Sequence, residues 1–195
     1  MIEEAVAAIR AGRPVVLPTD TVYGLCAEPT AETAAVVARL KGREARQPTA
    51  LLAGSVDALL EHVPELSERL LRALLPGAYT LILPNPARRY AWLAGENPDA
   101  IGVRVPELPS AAAAVLAEVR AVLATSANVH GGPDPRRLED VPEEIGSACG
   151  ALVDGGELPG TPSTVLDLTG EEPRVLREGV VPGAEALGRA AASRG

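Results

Sequence analysis

The chain has 195 residues, 47% hydrophobic and 23% charged, enough to bury one core of its own. Its 18 Lys and Arg against 26 Asp and Glu leave a formal charge of −8, and aromatics make up only 2% with no Phe; both argue against a dedicated nucleic-acid binder built on basic surface or stacking platforms. The two cysteines and two histidines have no paired metal-ligand spacing, so a structural zinc site has no support in the sequence, and both thiols are expected to be reduced.

The elements read in chain order as follows. Ile2, Val6 and Ile9 recur at helical spacing until Gly12, and Pro14 to Leu17 is a short apolar run read as a buried strand. That strand delivers the chain into a polar cluster, Pro18 to Leu25 (PTDTVYGL). A helix spans Ala31 to Leu40 and ends on Lys41-Gly42-Arg43, and Thr49 to Ala53 forms the next strand. Ser55 and Ser67 sit as N-caps of two short helices. Strands follow at Tyr79 to Leu83 and Ile101 to Val105, separated by a loop from Asn85 to Pro98. An Ala-rich helix from Ser110 to Val119 leads to a strand, Ala121 to Thr125, and then to Ser126-Ala127-Asn128. Beyond a loop and a short helix near Glu143 come strands at Ala151 to Val153, Ser163 to Leu168 and Pro173 to Leu176, and a closing helix from Ala184 to Ala192. Interleaved strands and helices predict an α/β layered domain whose apolar strands are buried on both faces. Residues 1–195 read as a single domain. No apolar run reaches the about 20 residues a bilayer span needs, and the acidic N-terminus lacks a basic n-region, so a cytoplasmic location is expected.

Neither the P-loop nor the dinucleotide fingerprint is present, and no G-x-S-x-G nucleophile motif occurs. Chemistry-bearing residues fall instead in four clusters at the ends of predicted elements: PTDTVYGL, K-x-R (Lys41, Arg43), S-x-N (Ser126, Asn128), and Ser163-Thr164-Val165 with Arg177 beyond it. Strand-end loops of an α/β sheet are where ligands usually sit. Taken singly each cluster also reads as ordinary turn and cap chemistry: Thr-Asp-Thr bonding its own backbone, Lys-Gly-Arg closing a helix, Ser-x-Asn as a cap.

Their order along the chain is more informative. PTDTVYG, K-x-R, S-x-N, G-x-x-S-T-V and R-x-G, with PGAYTLIL (Pro76 to Leu83) and IGVRVPELP (Ile101 to Pro109) between them, resemble the YrdC-type threonylcarbamoyl-AMP synthases from about Pro14 to Gly179. That resemblance implies a twisted mixed sheet with flanking helices around a concave basic cavity. It implies an enzyme that takes L-threonine, bicarbonate and ATP to threonylcarbamoyl-AMP and pyrophosphate, a nucleotidyltransferase. Partner proteins then move the threonylcarbamoyl group onto tRNA.

By the same resemblance Lys41, Arg43, Ser126 and Asn128 form the reactive quartet. Arg43, Gln47, Ser126, Asn128 and Arg177 face ATP, while Thr21, Arg104 and Ser163 hold threonine, with Thr19 and Tyr23 on the same wall. Mg²⁺ is expected to arrive with ATP, since no Asp or Glu is assignable as a protein ligand and the metal can rest on phosphates and water. The chemistry suits these residue types. Two anions must meet and a third must leave, so positive charge and positioning matter more than a strong base. Gln47 stands where many relatives have Asn, Leu52 replaces a frequent His, and Asp134 stands where a Ser is frequent. His62 and His130 read as surface or packing residues, Trp92 as a loop anchor, and Arg88-Arg89 and Arg136-Arg137 as solvated charge. Two other readings are an RNA-binding module, supported only by loop arginines, and a paralogue with altered carbamoyl-group activity.

Overall fold

The computed structural model describes residues 1–43 and 47–194. A nine-stranded mixed sheet runs through it in the order β7-β1-β2-β6-β3-β5-β4-β8-β9. The strands are β1 (Val15–Pro18), β2 (Tyr23–Ala27), β3 (Ala50–Ala53), β4 (Tyr79–Pro84), β5 (Ala100–Arg104), β6 (Ala121–Ser126), β7 (Ala151–Leu152), β8 (Thr164–Asp167) and β9 (Arg174–Arg177). The helices are α1 (Ile2–Arg10), α2 (Ala31–Leu40), α3 (Val56–His62), α4 (Glu68–Leu74), α5 (Ser110–Val119), α6 (Glu143–Gly146) and α7 (Gly183–Arg194). The α/β expectation holds, with parallel pairs β1–β7, β3–β5 and β4–β8 set among antiparallel ones. The bounds of α2 and α5 agree with the pattern reading. Ser55 and Ser67 accept from the backbone N–H of Ala58 and Leu70, as N-caps do.

Strand β2 was not expected. Its first three residues, Tyr23-Gly24-Leu25, end the polar cluster read from sequence, yet the whole run to Ala27 pairs antiparallel with β1 and with β6. Thr19 makes the turn between β1 and β2. Its hydroxyl donates to the Val22 carbonyl at 2.7 Å and accepts from the N–H groups of Thr21 and Val22, each at 3.3 Å. PTDTVYGL is therefore a hairpin held by a threonine side chain.

Side chains alternate across the sheet, and the two faces are treated differently. On one face Leu25, Leu51, Leu81, Ile101, Val103 and Leu123 pack beneath α2, α3, α4 and α7 in one continuous core. On the other, Val15, Leu17, Cys26, Leu52 and Val122 pack beneath α1 and α5, which supply Val6, Ile9, Val115 and Leu116. These two helices cover only part of that second face. Where they stop, the strands carry small residues: Ala50 opposite Ala124, Gly102 opposite Ile82, and Thr80 opposite Val165. A cavity stands over them. The expectation of strands buried on both faces is thus corrected over this stretch, because Ala and Gly in register leave space that Leu or Val would fill.

Candidate active site

The cavity encloses about 250 Å³ and opens to solvent. Its floor is Ala50, Thr80, Gly102, Ala124 and Val165, and its walls include Thr21, Arg104, Ser126, Asp134, Ser163 and Arg177. Five of the residues singled out from sequence, Thr21, Arg104, Ser126, Ser163 and Arg177, therefore line one space although they come from separate parts of the chain. Lys41, Arg43, Gln47 and Asn128 stand behind or beside the wall rather than in it.

Lys41 is 3% exposed. Its ammonium donates to the Ser126 carbonyl at 2.5 Å, the Asn128 carbonyl at 2.6 Å and Asn128 Oδ1 at 2.9 Å, which uses all three of its donors. Ser126 Oγ in turn donates to Asn128 Oδ1 at 2.6 Å, and Asn128 Nδ2 donates to the Gly132 carbonyl at 2.6 Å. The K-x-R lysine is thus a pin through the S-x-N turn, joining the end of α2 to the end of β6. Burial lowers the Lys41 ammonium to about 8, Arg43 pushes it the same way, and Asp134 pulls against them.

Arg43 donates to Thr49 Oγ1, and its Nε is buried without a hydrogen-bond partner among the described residues. Burial holds this guanidinium below its ordinary range. Thr49, itself a wall residue, is fixed through its N–H to the Leu93 carbonyl at 2.9 Å. Gln47 Nε2 lies 3.5 Å from His130 Nε2. The residues between Arg43 and Gln47 lie outside those described, as does Gly195 at the end of the expected domain.

The opposite wall is built from the hairpin and β5. Arg104 Nη2 donates to Asp20 Oδ1 at 2.7 Å and to Thr21 Oγ1 at 3.4 Å, and Thr21 Oγ1 lies 3.2 Å from Thr19 Oγ1. Burial lowers the Arg104 guanidinium against the pull of Asp20 and raises the Asp20 carboxyl against the pull of Arg104. Arg177 Nη2 donates to the Ser163 carbonyl at 2.9 Å and to Ser163 Oγ at 3.3 Å, and Ser163 Oγ pairs with Thr80 Oγ1 at 2.8 Å. Gly179, the glycine of R-x-G, lets β9 leave along this wall. A Cβ there would stand 2.4 Å from the Pro162 carbonyl oxygen and from the Ser163 carbonyl carbon.

Tyr23 does not line the cavity. Alternation turns it to the other face of the sheet, where it is fully buried and its hydroxyl donates to the Gly156 carbonyl at 2.8 Å. Thr19 stays in the wall's support through Thr21. Leu52 packs with Leu17, Val122 and Leu116 under α1 and α5, two residues past the floor residue Ala50. Its departure from the family pattern is absorbed by apolar packing, whereas Asp134 lies in the wall itself. Thr80, Thr49 and Asp20 were missed as site residues. Thr80 and Thr49 sit within runs read only as strands, and Asp20 lay in a quoted motif with no role assigned.

The remaining residues of interest fall elsewhere. His62 Nδ1 is 2.6 Å from the Tyr90 hydroxyl, and Trp92 packs edge-on to Tyr90 with ring centroids 5.7 Å apart. Arg88 pairs with Asp99, Arg89 with Glu65, and Arg136 and Arg137 with Glu157. Each loop arginine is therefore already matched by an acid, which weakens the RNA-binding alternative. No group of three or more His, Cys, Asp or Glu side chains capable of holding a metal occurs among the described residues.

The wall thus presents Arg104 and Arg177, backed by Lys41 and Arg43, against Asp20 and Asp134. It is a small polar pocket with surplus positive charge, hydroxyls from Thr21, Thr80, Ser126 and Ser163, and a floor made mostly of small residues beside Ile82 and Val165. Such a site can hold more than one anion and orient them. Comparison with known proteins gives the same direction. A family model for Sua5, YciO and YrdC, described as telomere recombination, matches residues 7–179. A protein of Mycobacterium tuberculosis that bears the name "Putative threonylcarbamoyl-AMP synthase" is 38% identical over 201 residues, covering 98% of this chain and 91% of its own length. Pyrococcus abyssi Sua5 complexed with L-threonine superposes with a TM-score of 0.86 at 32% identity, covering 96% of this chain but 56% of that one, so this chain spans little more than half of it. Escherichia coli YciO gives a TM-score of 0.78 at 30% identity, covering 92% of this chain and 89% of its own. The chain belongs to the Sua5/YciO/YrdC family.

Proposed function

We propose that this protein is an L-threonylcarbamoyladenylate synthase acting as a single domain. The observation that carries the reading is the convergence of Thr21, Arg104, Ser126, Ser163 and Arg177 on one cavity, with Lys41 locking the S-x-N turn at its edge. The amine of threonine adds to bicarbonate with loss of water, giving a carbamate. A carbamate oxygen then attacks the α-phosphorus of ATP, the bond to the bridging oxygen breaks, and pyrophosphate leaves with the electron pair.

The residues divide by substrate. Arg104, Thr21 and Ser163 take threonine, Arg104 as the partner of its carboxylate. Ser126, Asn128, Arg43, Gln47 and Arg177 take ATP. With its donors spent on Ser126 and Asn128, Lys41 contributes charge and the shape of the turn rather than a free phosphate contact. Catalysis then rests on positioning and charge stabilisation. Mg²⁺ accompanying ATP would be held mainly by phosphates and water, where it would neutralise charge, and Asp134 on the cavity wall could face it. The product is a mixed anhydride that tRNA-modification partner proteins consume in the cytoplasm. No helix among the described residues is long and apolar enough to cross a membrane.

The experiment is pyrophosphate release with each substrate omitted in turn. Release is expected to need ATP, threonine and bicarbonate together. Release that ignores threonine would overturn the substrate assignment and favour another carbamoyl-group activity.

A further inference from the structure

Asp20 and Arg104 face each other inside the wall with their side chains 10% and 12% exposed. A carboxylate and a guanidinium left alone together tend to form two parallel hydrogen bonds. Here they form one, from Nη2 to Oδ1 at 2.7 Å. Arg104 Nε and Asp20 Oδ2 are both buried and without a hydrogen-bond partner among the described residues. The Thr21 hydroxyl flanks the contact, 3.4 Å from Asp20 Oδ1 and 3.4 Å from Arg104 Nη2. Leaving a desolvated donor on a buried cation is unfavourable, so the single bond to Asp20 bears most of the work of holding this guanidinium.

We propose that Asp20 is a positioning residue for amino-acid recognition. It takes the Nη2 corner of Arg104 and so fixes the plane in which the guanidinium, a wall group of the cavity, meets a substrate carboxylate. The inference rests on the reading of Arg104 as the carboxylate partner, and it assigns the specificity of that contact to the hairpin between β1 and β2. Because the role is geometric, an acceptor at the same distance suffices even without charge. A longer side chain does not suffice, since it pushes the guanidinium out of plane.

The test is calorimetric binding of L-threonine and, separately, of ATP to the unaltered chain and to Asp20→Ala, Asp20→Asn and Asp20→Glu, with KM and kcat for pyrophosphate release alongside. Asp20→Ala and Asp20→Glu are expected to raise the threonine Kd and KM at least fivefold, while ATP affinity and kcat at saturating threonine stay within twofold. Asp20→Asn is expected to weaken threonine binding by less than threefold. Threonine binding by Asp20→Ala within fivefold of the unaltered chain overturns the proposal. So does Asp20→Asn as damaging as Asp20→Ala, or a parallel loss of ATP binding. Should Asp20→Ala fail to fold, the contrast between Asp20→Glu and Asp20→Asn decides. If the unaltered chain binds no threonine, the reading of Arg104 falls and this inference with it; if it binds threonine and the variants bind it equally, this inference alone falls.

Discussion

Replacing Lys41 by Met removes the ammonium and keeps most of the buried stem, so it isolates what the three donors do. In the folded chain those donors satisfy two backbone carbonyls, Ser126 and Asn128, and the Asn128 side-chain oxygen. The side-chain oxygen keeps a second donor in Ser126 Oγ, so the two carbonyls bear the loss. A buried acceptor left unpaired costs about 1–3 kcal/mol. Ser126 borders the cavity and water can reach it, which places the sum near the low end, about 2–3 kcal/mol. For a domain of this size that lowers Tm by about 4–12 °C. The turn also loses the contact that sets its shape, so ATP binding is expected to weaken at least tenfold. Threonine binding should change less than threefold, because Lys41 makes no contact with Thr21, Arg104 or Ser163. Scanning calorimetry with titration of each substrate measures all three. An unchanged Tm with unchanged ATP affinity would refute the pin; a lowered Tm with unchanged ATP affinity would separate the turn from the nucleotide.

Further predictions concern pH and the cavity walls. Lys41 is held near 8 in the folded chain, against 10.5 for a free lysine, so it loses its proton first in the folded state. A neutral amine has two N–H groups for three acceptors, and ATP affinity should fall as pH rises through about 8, read by titration between pH 7 and 9.5; a flat profile would contradict the role. The unfolded chain binds more protons at this site between about 8 and 10.5, so Lys41's own contribution to stability rises over that window while ATP affinity falls. Denaturant melts across the same range test that opposite sign. Ala50→Leu fills the floor opposite Ala124 and should lower affinity for both substrates more than tenfold with a Tm change of only a few degrees; retained binding would move the site elsewhere. Gly179→Ala drives a methyl into the Pro162 carbonyl and the Ser163 backbone, and should cost about 1–3 kcal/mol and raise the threonine KM, whereas an unchanged melt would show that the wall gives way freely.

Local signals were legible where local physics decides the structure. The helices α2 and α5 follow from periodicity, and the serine caps from their spacing to the first helical N–H groups. Strand β2 was lost because a polar motif ran into an apolar strand without a break, and the turn between them is made by one hydroxyl rather than by glycine. The cavity floor was not legible at all. Ala50, Ala124, Gly102 and Thr80 read as unremarkable strand residues, and only cross-strand register puts their small side chains together. The ion pair between Asp20 and Arg104 spans 84 residues of sequence, and no spacing rule reaches across it. The order of motifs pointed to the family, yet the buried setting of Lys41 had to come from the fold.

The proposed reaction assembles a single adenylated product from three substrates. Mass spectrometry of the reaction with ¹³C-bicarbonate tests it most directly. One new species containing threonine, AMP and one labelled carbon is expected, formed in step with pyrophosphate and lost in Arg43→Ala. AMP and pyrophosphate appearing without a labelled threonine-containing product, or a labelled product without threonine, would contradict it.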